Sequence, residues 1–270
     1  MAEMAFRKIE LQDTCLYVDI SGSGPPLLLI HGFPLNREMW RPQIKFLSSS
    51  TKVIAPDLRG HGQSPPTSGP YPMDLLADDC AAVLHSFGVD KPAIVCGLSM
   101  GGYVTFALFR RYPSLIRGMI LAATRAGADS AETKENREKA AASVEENGIQ
   151  DVVDSTLPRL LAPQTYSEQP KLVEKVKTIM DQTSSQGMVA ALKGMKARLD
   201  STPILEEIKV PVLIIHGADD QLIPPSEAEL MHSRIEDSQM EVIPNAGHLP
   251  NLEQPGEFNQ AVTRFLHSLD

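Results

Sequence analysis

The sequence predicts an α/β fold in which helices cover both faces of a mostly parallel sheet. Two observations support this: short apolar runs typical of buried strands recur along the chain, and segments of helical periodicity, such as residues 73–87, lie between them. Strands that alternate with helices favour parallel pairing. The strand-like runs are residues 16–20, 27–30, 53–55, 93–96, 119–122, 210–215 and 240–243.

Residues 125–202 differ from this pattern. They contain charged helical patterns at 131–146 and 171–180 and no strand-like run. We expect a helical cap, or lid, inserted over the carboxyl edge of the sheet, where ligands bind in open α/β folds. Residues 1–124 and 203–270 would then form the core domain. The alternative is a helical subdomain that has no gating role.

Composition bounds the partners and the compartment. The 270 residues are 42% hydrophobic, enough for one large domain with an insertion. The net charge of −9, with no basic run, argues against a nucleic-acid partner. Three cysteines without metal-ligand spacing indicate reduced thiols. No segment has the length of a membrane span or the pattern of a signal peptide, so we expect a cytoplasmic protein without a membrane partner.

The motif Gly-Leu-Ser-Met-Gly at residues 97–101 follows an apolar run and precedes a helical pattern. In that context the central residue, Ser99, is predicted to be a nucleophile held on a sharp strand-to-helix turn. The alternative is a glycine-rich turn whose serine only caps the helix.

A serine hydroxyl needs a base, and the base needs an acid that orients it. His248 follows the last strand-like run and is the predicted base. Asp219 and Asp220 follow residues 210–215, and the residues alone leave the choice between the two aspartates open. The chain order of serine, aspartate and histidine is the one expected for this architecture.

The reaction also needs two N–H donors for the oxyanion. Met100 follows the nucleophile and supplies one of them. Phe33, in the turn after residues 27–30, is the candidate for the other, since Pro34 has no N–H.

Five segments together resemble serine esterases of the α/β-hydrolase fold, in order and approximate spacing. They are His-Gly-Phe-Pro at 31–34, Pro-Asp-Leu-Arg-Gly-His-Gly-Gln-Ser at 56–64, Gly-Leu-Ser-Met-Gly-Gly at 97–102, Gly-Ala-Asp-Asp-Gln-Leu-Ile-Pro at 217–224 and Gly-His at 247–248. The resemblance implies an eight-stranded, mostly parallel sheet with a helical cap insertion and a carboxylesterase-like activity on small or medium acyl groups.

The resemblance also assigns roles. It selects Asp220 as the acid, and it makes His31, Arg59 and His61 loop-bracing residues. Epoxide hydrolases and haloalkane dehalogenases of similar fold carry aspartate at the nucleophile position, so Ser99 favours acyl transfer. No cofactor is needed because the serine does the covalent chemistry, and the histidines lack the spacing of a metal site.

We expect the substrate to be a small ester or lactone. Leu35, Trp40 and Arg125 are candidate contacts, with Arg125 suited to a substrate carboxylate, although a solvated arginine is the simpler interpretation. Methionines of the insertion suggest an adaptable apolar lid or plain core. Enol-lactone hydrolysis, C–C bond hydrolysis and cofactor-free perhydrolysis would use the same triad, and a non-catalytic ligand receptor is the alternative from another class. The sequence carries no indication of oligomeric state. The methionines of the insertion that are expected to form either an apolar lid or plain core are Met180, Met188 and Met195.

Overall fold

The computed structural model describes residues 4–88 and 91–269. An eight-stranded sheet lies at its centre, with the spatial order first, second, fourth, third, fifth, sixth, seventh and eighth strand. The first two strands are antiparallel to their neighbours and the others are parallel, which confirms the predicted fold class. In chain order the strands are β1 (Ala5–Glu10), β2 (Cys15–Ser21), β3 (Pro26–Ile30), β4 (Lys52–Pro56), β5 (Ala93–Leu98), β6 (Ile116–Ala122), β7 (Val212–Gly217) and β8 (Ser238–Ile243).

The middle of the sheet is covered on both faces. Every residue of β3, β5 and β7 is buried, although successive side chains in a strand point to opposite faces. This double burial explains why these strands read as unbroken apolar runs in the sequence. By contrast, β1 is an edge strand with exposed charged residues, and no apolar run revealed it.

Six of the α-helices in the described residues lie outside the stretch between β6 and β7. The helix at Arg41–Leu47 packs against the helix at Pro255–Ser268, and the helix at Met73–Ser86 packs against the helix at Met100–Arg111. They are α1 (Arg41–Leu47), α2 (Met73–Ser86), α3 (Met100–Arg111), α9 (Pro225–Arg234), α10 (Pro250–Glu253) and α11 (Pro255–Ser268).

Between β6 and β7 the chain forms a helical segment without strands, in agreement with the two helical patterns there. It contacts the loops around β4 and α2: the Tyr71 N–H donates to the Ala190 carbonyl at 2.9 Å. The boundary at 125–202 stays a prediction, and residues 1–3, 89, 90 and 270 of the predicted core domain lie outside the described residues. The helices are α4 (Ala131–Asn147), α5 (Gln150–Leu160), α6 (Pro163–Glu168), α7 (Pro170–Met180) and α8 (Ser185–Lys196).

The topology directs the candidate residues to one place. The chain moves outward from β3 to β4 and then returns to place β5 on the other side of β3. The loops after β3 and β5 therefore diverge at the carboxyl edge and leave a crevice, which is the usual ligand site in such sheets. Among the described residues, no helix is both long enough and apolar enough to cross a bilayer.

Candidate active site

Ser99 occupies a strained turn between β5 and α3. Its φ of 56° and ψ of −114° are rare for a residue with a side chain. The turn is held in place by β6 and the loop after it: the Ser99 N–H donates to the Ala122 carbonyl at 2.9 Å, and the Thr124 hydroxyl donates to the Ser99 carbonyl at 2.8 Å. The neighbouring strand thus maintains a conformation that lifts the hydroxyl away from the sheet.

Close packing accounts for the two glycines that flank the serine. A Cβ on Gly97 would lie 2.2 Å from the Gly101 carbonyl oxygen, and a Cβ on Gly101 would lie 2.2 Å from the Ile30 carbonyl oxygen. Both distances are far inside van der Waals contact, so any larger residue would push α3 away from the sheet. The motif is therefore a steric requirement of a helix that begins directly above β3 and β5.

His248 and Asp220 meet behind this turn. Asp220 follows β7 and His248 follows β8, and the His248 Nδ1 lies 2.8 Å from the Asp220 Oδ2. The other carboxylate oxygen of Asp220 accepts from the N–H groups of Leu222 at 2.8 Å and Ile223 at 3.1 Å. The bond through Nδ1 leaves the Nε2 of His248 free to exchange a proton with another group.

The surroundings of Asp220 favour its charged form. Burial raises the pKa of this carboxyl, but His248 and the two backbone N–H groups together hold the pKa below its usual value. His216 lies 3.6 Å from the same carboxylate oxygen, and burial lowers the pKa of this imidazole. Asp219 instead accepts a hydrogen bond from the Gln164 side chain at 2.9 Å. The geometry thus places Asp220, and not Asp219, against the predicted base.

Ser99 and His248 line one cavity of about 370 Å³. Within residues 4–88 and 91–269 the Ser99 hydroxyl makes no hydrogen bond, and Ser99 is partly exposed to this cavity. The hydrogen bond between a nucleophilic hydroxyl and its base often forms only when substrate is bound. A small molecule in the cavity would therefore contact both the hydroxyl and the imidazole.

Of the two residues predicted to supply the N–H donors, one lines this cavity and the other directly follows Ser99. Met100 is the first residue of α3, so its N–H lies ahead of the helical hydrogen bonds. Phe33 lines the cavity. A Cβ on its neighbour Gly32 would lie 3.3 Å from the Ser99 Cβ, which shows how closely the loop after β3 approaches the serine. The arrangement suits an oxygen that bears negative charge beside Ser99.

Two of the predicted substrate contacts lie elsewhere. Leu35 and Trp40 are buried in the core, and Trp40 packs against Phe258 with ring centroids 6.0 Å apart. Neither residue is part of the wall of the cavity that holds Ser99. The expectation that they contact substrate finds no support, because the turn after β3 directs Phe33 to the cavity and the residues after it into the core.

The remaining candidates divide in the same way. Arg125 lines the cavity, as expected from its place after β6, and so does Met195. Met180 and Met188 are completely buried and do not form part of the cavity wall. The prediction of an apolar methionine surface therefore finds support for Met195 alone, because α8 turns its other methionine into the core.

The histidines of the motif loops brace those loops. The Leu58 N–H donates to the His31 Nε2 at 2.9 Å, and the His61 Nδ1 lies 3.0 Å from the Arg59 carbonyl. Burial lowers the pKa of His61 to about 4, so its imidazole is neutral at physiological pH. Arg59 forms two hydrogen bonds of 2.7 Å with Asp79. In the described part of the chain, no group of three or more potential metal ligands is brought together.

Glu253 is a further residue of the site that no sequence pattern identified. It is buried, and one of its carboxylate oxygens accepts from the Gly247 N–H at 2.7 Å. The other accepts from the Ala162 N–H and the Thr165 hydroxyl, both at 2.7 Å. Glu253 therefore joins the loop that carries His248 to the helical segment. A single acidic residue five positions after a loop histidine carries no signal of this role.

We expect Glu253→Gln to lower the free energy of unfolding by about 1–3 kcal/mol, because an amide NH₂ would face a buried N–H donor and leave it unpaired. Urea denaturation measures the change. Glu257→Gln is the matched control, since Glu257 is exposed on the next helix and should change stability by less than about 0.5 kcal/mol. Equal unfolding free energies for the two variants would contradict the assigned role of Glu253.

Comparison with known proteins agrees with the architecture and with the class of site. A family model described as alpha/beta hydrolase fold matches residues 25–255. The 3-oxoadipate enol-lactonase 2 of Acinetobacter baylyi is 32% identical over 238 residues, which are 88% of this chain and 87% of that protein. The 3-oxoadipate enol-lactonase 1 of the same organism is 30% identical over 260 residues, 96% of this chain and 95% of that protein.

Solved structures give the same result. A thermophilic esterase from Thermogutta terrifontis, studied with malate bound, superposes with a TM-score of 0.94 at 38% identity and covers 99% of both chains. The enol-lactonase from Burkholderia xenovorans LB400 superposes with a TM-score of 0.90 at 27% identity, over 97% of this chain and 100% of that one.

Proposed function

Because the chain belongs to the α/β-hydrolase fold family, we propose that it is a serine carboxylic-ester hydrolase that works through an acyl-enzyme intermediate. The observation that carries this proposal is the shared cavity of Ser99 and His248, with Asp220 bonded to the far side of the imidazole. A hydroxyl, a base and an orienting acid in this order are the requirements for acyl transfer.

In the proposed reaction, the Ser99 oxygen attacks the ester carbonyl carbon while His248 takes the hydroxyl proton. The carbonyl electron pair moves onto its oxygen, which the N–H groups of Phe33 and Met100 stabilise. When the bond to the alcohol oxygen breaks, His248 returns the proton to that oxygen. Water then attacks the acyl-enzyme with His248 again as base, which releases the acid and restores Ser99. Asp220 orients the imidazole and stabilises its charged form throughout.

The helical segment is proposed to act as the cap of this site, with residues 125–202 as its extent. Residues of α4, α5 and α8 contribute to the cavity wall together with the core loops. A cavity of about 370 Å³ suits small or medium acyl groups. Closure of such a segment would exclude water from the first half of the reaction.

Enol-lactone hydrolysis is the second candidate reaction, and the two Acinetobacter baylyi relatives favour it. A lactone is a cyclic ester, so the same attack on a carbonyl carbon opens the ring and the leaving oxygen stays attached to the acyl group. The chemistry of the triad is therefore common to both candidates.

Hydrolysis of p-nitrophenyl acetate and of a panel of esters and lactones tests the proposal. We expect many turnovers per protein molecule, with an acid and an alcohol, or a ring-opened hydroxy acid, as products. Fewer than a handful of turnovers would favour a ligand receptor. Product analysis separates the other reactions, since C–C hydrolysis of a diketone or perhydrolysis gives different products from the same triad.

A further inference from the structure

The cavity beside Ser99 is lined by positively charged side chains, although the chain as a whole is acidic. Arg125, Arg137 and Arg159 all line it, and among its described lining residues there is no aspartate or glutamate. The protein as a whole has a net charge of −9. A cationic cavity in an acidic protein indicates a specific anionic occupant rather than a general attraction to anions.

Two of these arginines share one carboxylate, that of Asp129. Its side chain is fully buried and forms ion pairs with Arg125 at 3.0 Å, with Arg198 at 2.9 Å and with Arg137. One negative charge therefore faces three guanidinium groups. The Nε of Arg125 is buried and has no hydrogen-bond partner among the residues that the structure describes. The cluster has both uncompensated charge and an unused donor.

Arg159 adds a third cation to the wall of the cavity. It is exposed on α5, and it forms no ion pair in residues 4–88 and 91–269; its described polar contact is a weak one with the Gln221 carbonyl at 3.4 Å. Other acids that act on the site are Asp220, which is bonded to His248, Glu227 on α9, which attracts Arg125 at longer range, and Asp200, which lies close enough to Arg198 to attract it. Carboxylates and arginines are therefore similar in number around the cavity, but Asp129 is a single acid shared by Arg125 and Arg137, and Arg159 has no ion pair among the described residues, so the wall itself presents guanidinium groups without a facing carboxylate.

On the basis of the proposed ester hydrolysis, we propose that the substrate is an ester or lactone that also carries a carboxylate, which Arg137 and Arg159 of the helical segment bind together with Arg125. A guanidinium donates two parallel hydrogen bonds to a carboxylate, so it recognises both its charge and its planar shape. All three cations come from the helical segment between β6 and β7, Arg125 from its first residues and the other two from its helices α4 and α5. Substrate selection is thus assigned to this segment, while the bond-breaking groups come from the core.

A pair of substrates of nearly equal size tests this proposal. Monoethyl succinate carries a carboxylate, and ethyl succinamate carries a neutral amide in its place. One or two charge-assisted hydrogen bonds correspond to a preference of about 10- to 100-fold in kcat/KM for the anionic ester. Added salt should raise the KM for monoethyl succinate and leave that for ethyl succinamate nearly unchanged.

Variants of Arg159 separate recognition from structure, because its exposed side chain has little part in folding. Arg159→Gln should reduce the ratio of the two kcat/KM values by about tenfold, and Arg159→Lys, which keeps the charge, should retain most of the ratio. Arg137→Gln should reduce it similarly. Arg264→Gln is the control: Arg264 is exposed and paired with Glu241, and it lies outside the cavity wall, so the ratio should not change.

Two results would overturn the inference while leaving ester hydrolysis intact. One is an equal or higher kcat/KM for ethyl succinamate, and the other is turnover of p-nitrophenyl acetate without turnover of monoethyl succinate. If p-nitrophenyl acetate and both succinate esters are all inert, the proposed function fails and the inference fails with it.

Discussion

Ser99→Ala should abolish covalent labelling by a phosphonate ester and lower kcat for ester hydrolysis by about 10⁵- to 10⁶-fold, since no other group supplies the attacking oxygen. Mass spectrometry of the intact protein measures the labelling, and ester turnover measures kcat. The strained turn and its glycines belong to the backbone, so the variant should keep the fold of the parent.

Ser155→Ala is the matched control for the labelling experiment. Ser155 also lines the cavity, but its hydroxyl donates to the Asp151 carbonyl at 2.7 Å and has no histidine partner among the described hydrogen bonds. This variant should be labelled as the parent is. A Ser99→Ala protein that still forms the adduct would show that the nucleophile is a different residue.

Asp220→Asn should lower kcat/KM by about 10³- to 10⁴-fold. The amide can still occupy the space of the carboxylate, but it can donate to the Nδ1 of His248 and so favour the tautomer that cannot accept the Ser99 proton. It also removes the negative charge that stabilises the imidazolium. Steady-state kinetics on any ester that the parent hydrolyses measures the loss.

Asp219→Asn is the control that the chain itself offers. Its carboxylate contacts Gln164 of the helical segment rather than His248, so we expect less than about a threefold change in kcat/KM. A loss for Asp219→Asn as large as that for Asp220→Asn would contradict the assignment of the acid.

The stability of the Asp220→Asn variant has an expected dependence on pH. Because the pKa of Asp220 in the folded protein lies below its unfolded value, this carboxylate contributes stability above about pH 4, and the contribution is lost as the pH falls through the folded pKa. The parent should therefore lose more unfolding free energy than the variant between about pH 5 and pH 3. Equal losses would indicate that Asp220 is not held in its charged form.

The candidate site combines a stable frame with one strained position. Central strands that are buried on both faces hold the loops after β3, β5, β7 and β8 at one edge of the sheet. The φ of 56° at Ser99 is kept there by hydrogen bonds to β6 and its following loop. The hydrogen bonds that Glu253 accepts from the Gly247 N–H, the Ala162 N–H and the Thr165 hydroxyl hold the loop that carries His248. Such support fixes the backbone that carries the predicted nucleophile and its predicted base, so that only the contact between the two side chains is left to form when substrate binds.

Most strands could be predicted from the sequence because burial on both faces leaves a plain trace, an unbroken apolar run. The edge strand β1 mixes apolar residues with exposed charged ones, and no such run marks it. Leu35 and Trp40 are residues whose side-chain direction the sequence could not predict. They are close in sequence to Phe33, but the direction of a side chain after a turn depends on packing against residues far away, here Phe258 for Trp40.

Local patterns were thus sufficient to predict the fold class and to single out Ser99 as the candidate nucleophile, since a tight strand-to-helix turn places its steric demands on adjacent residues. The family resemblance selected Asp220 over Asp219, and the structure places Asp220 against His248. Long-range packing made the remaining choices: Glu253 as the link between the His248 loop and the helical segment, and three arginines around one cavity. Each of these depends on distances between residues separated by dozens of positions, and such distances exist only after the sheet and the helical segment have assembled.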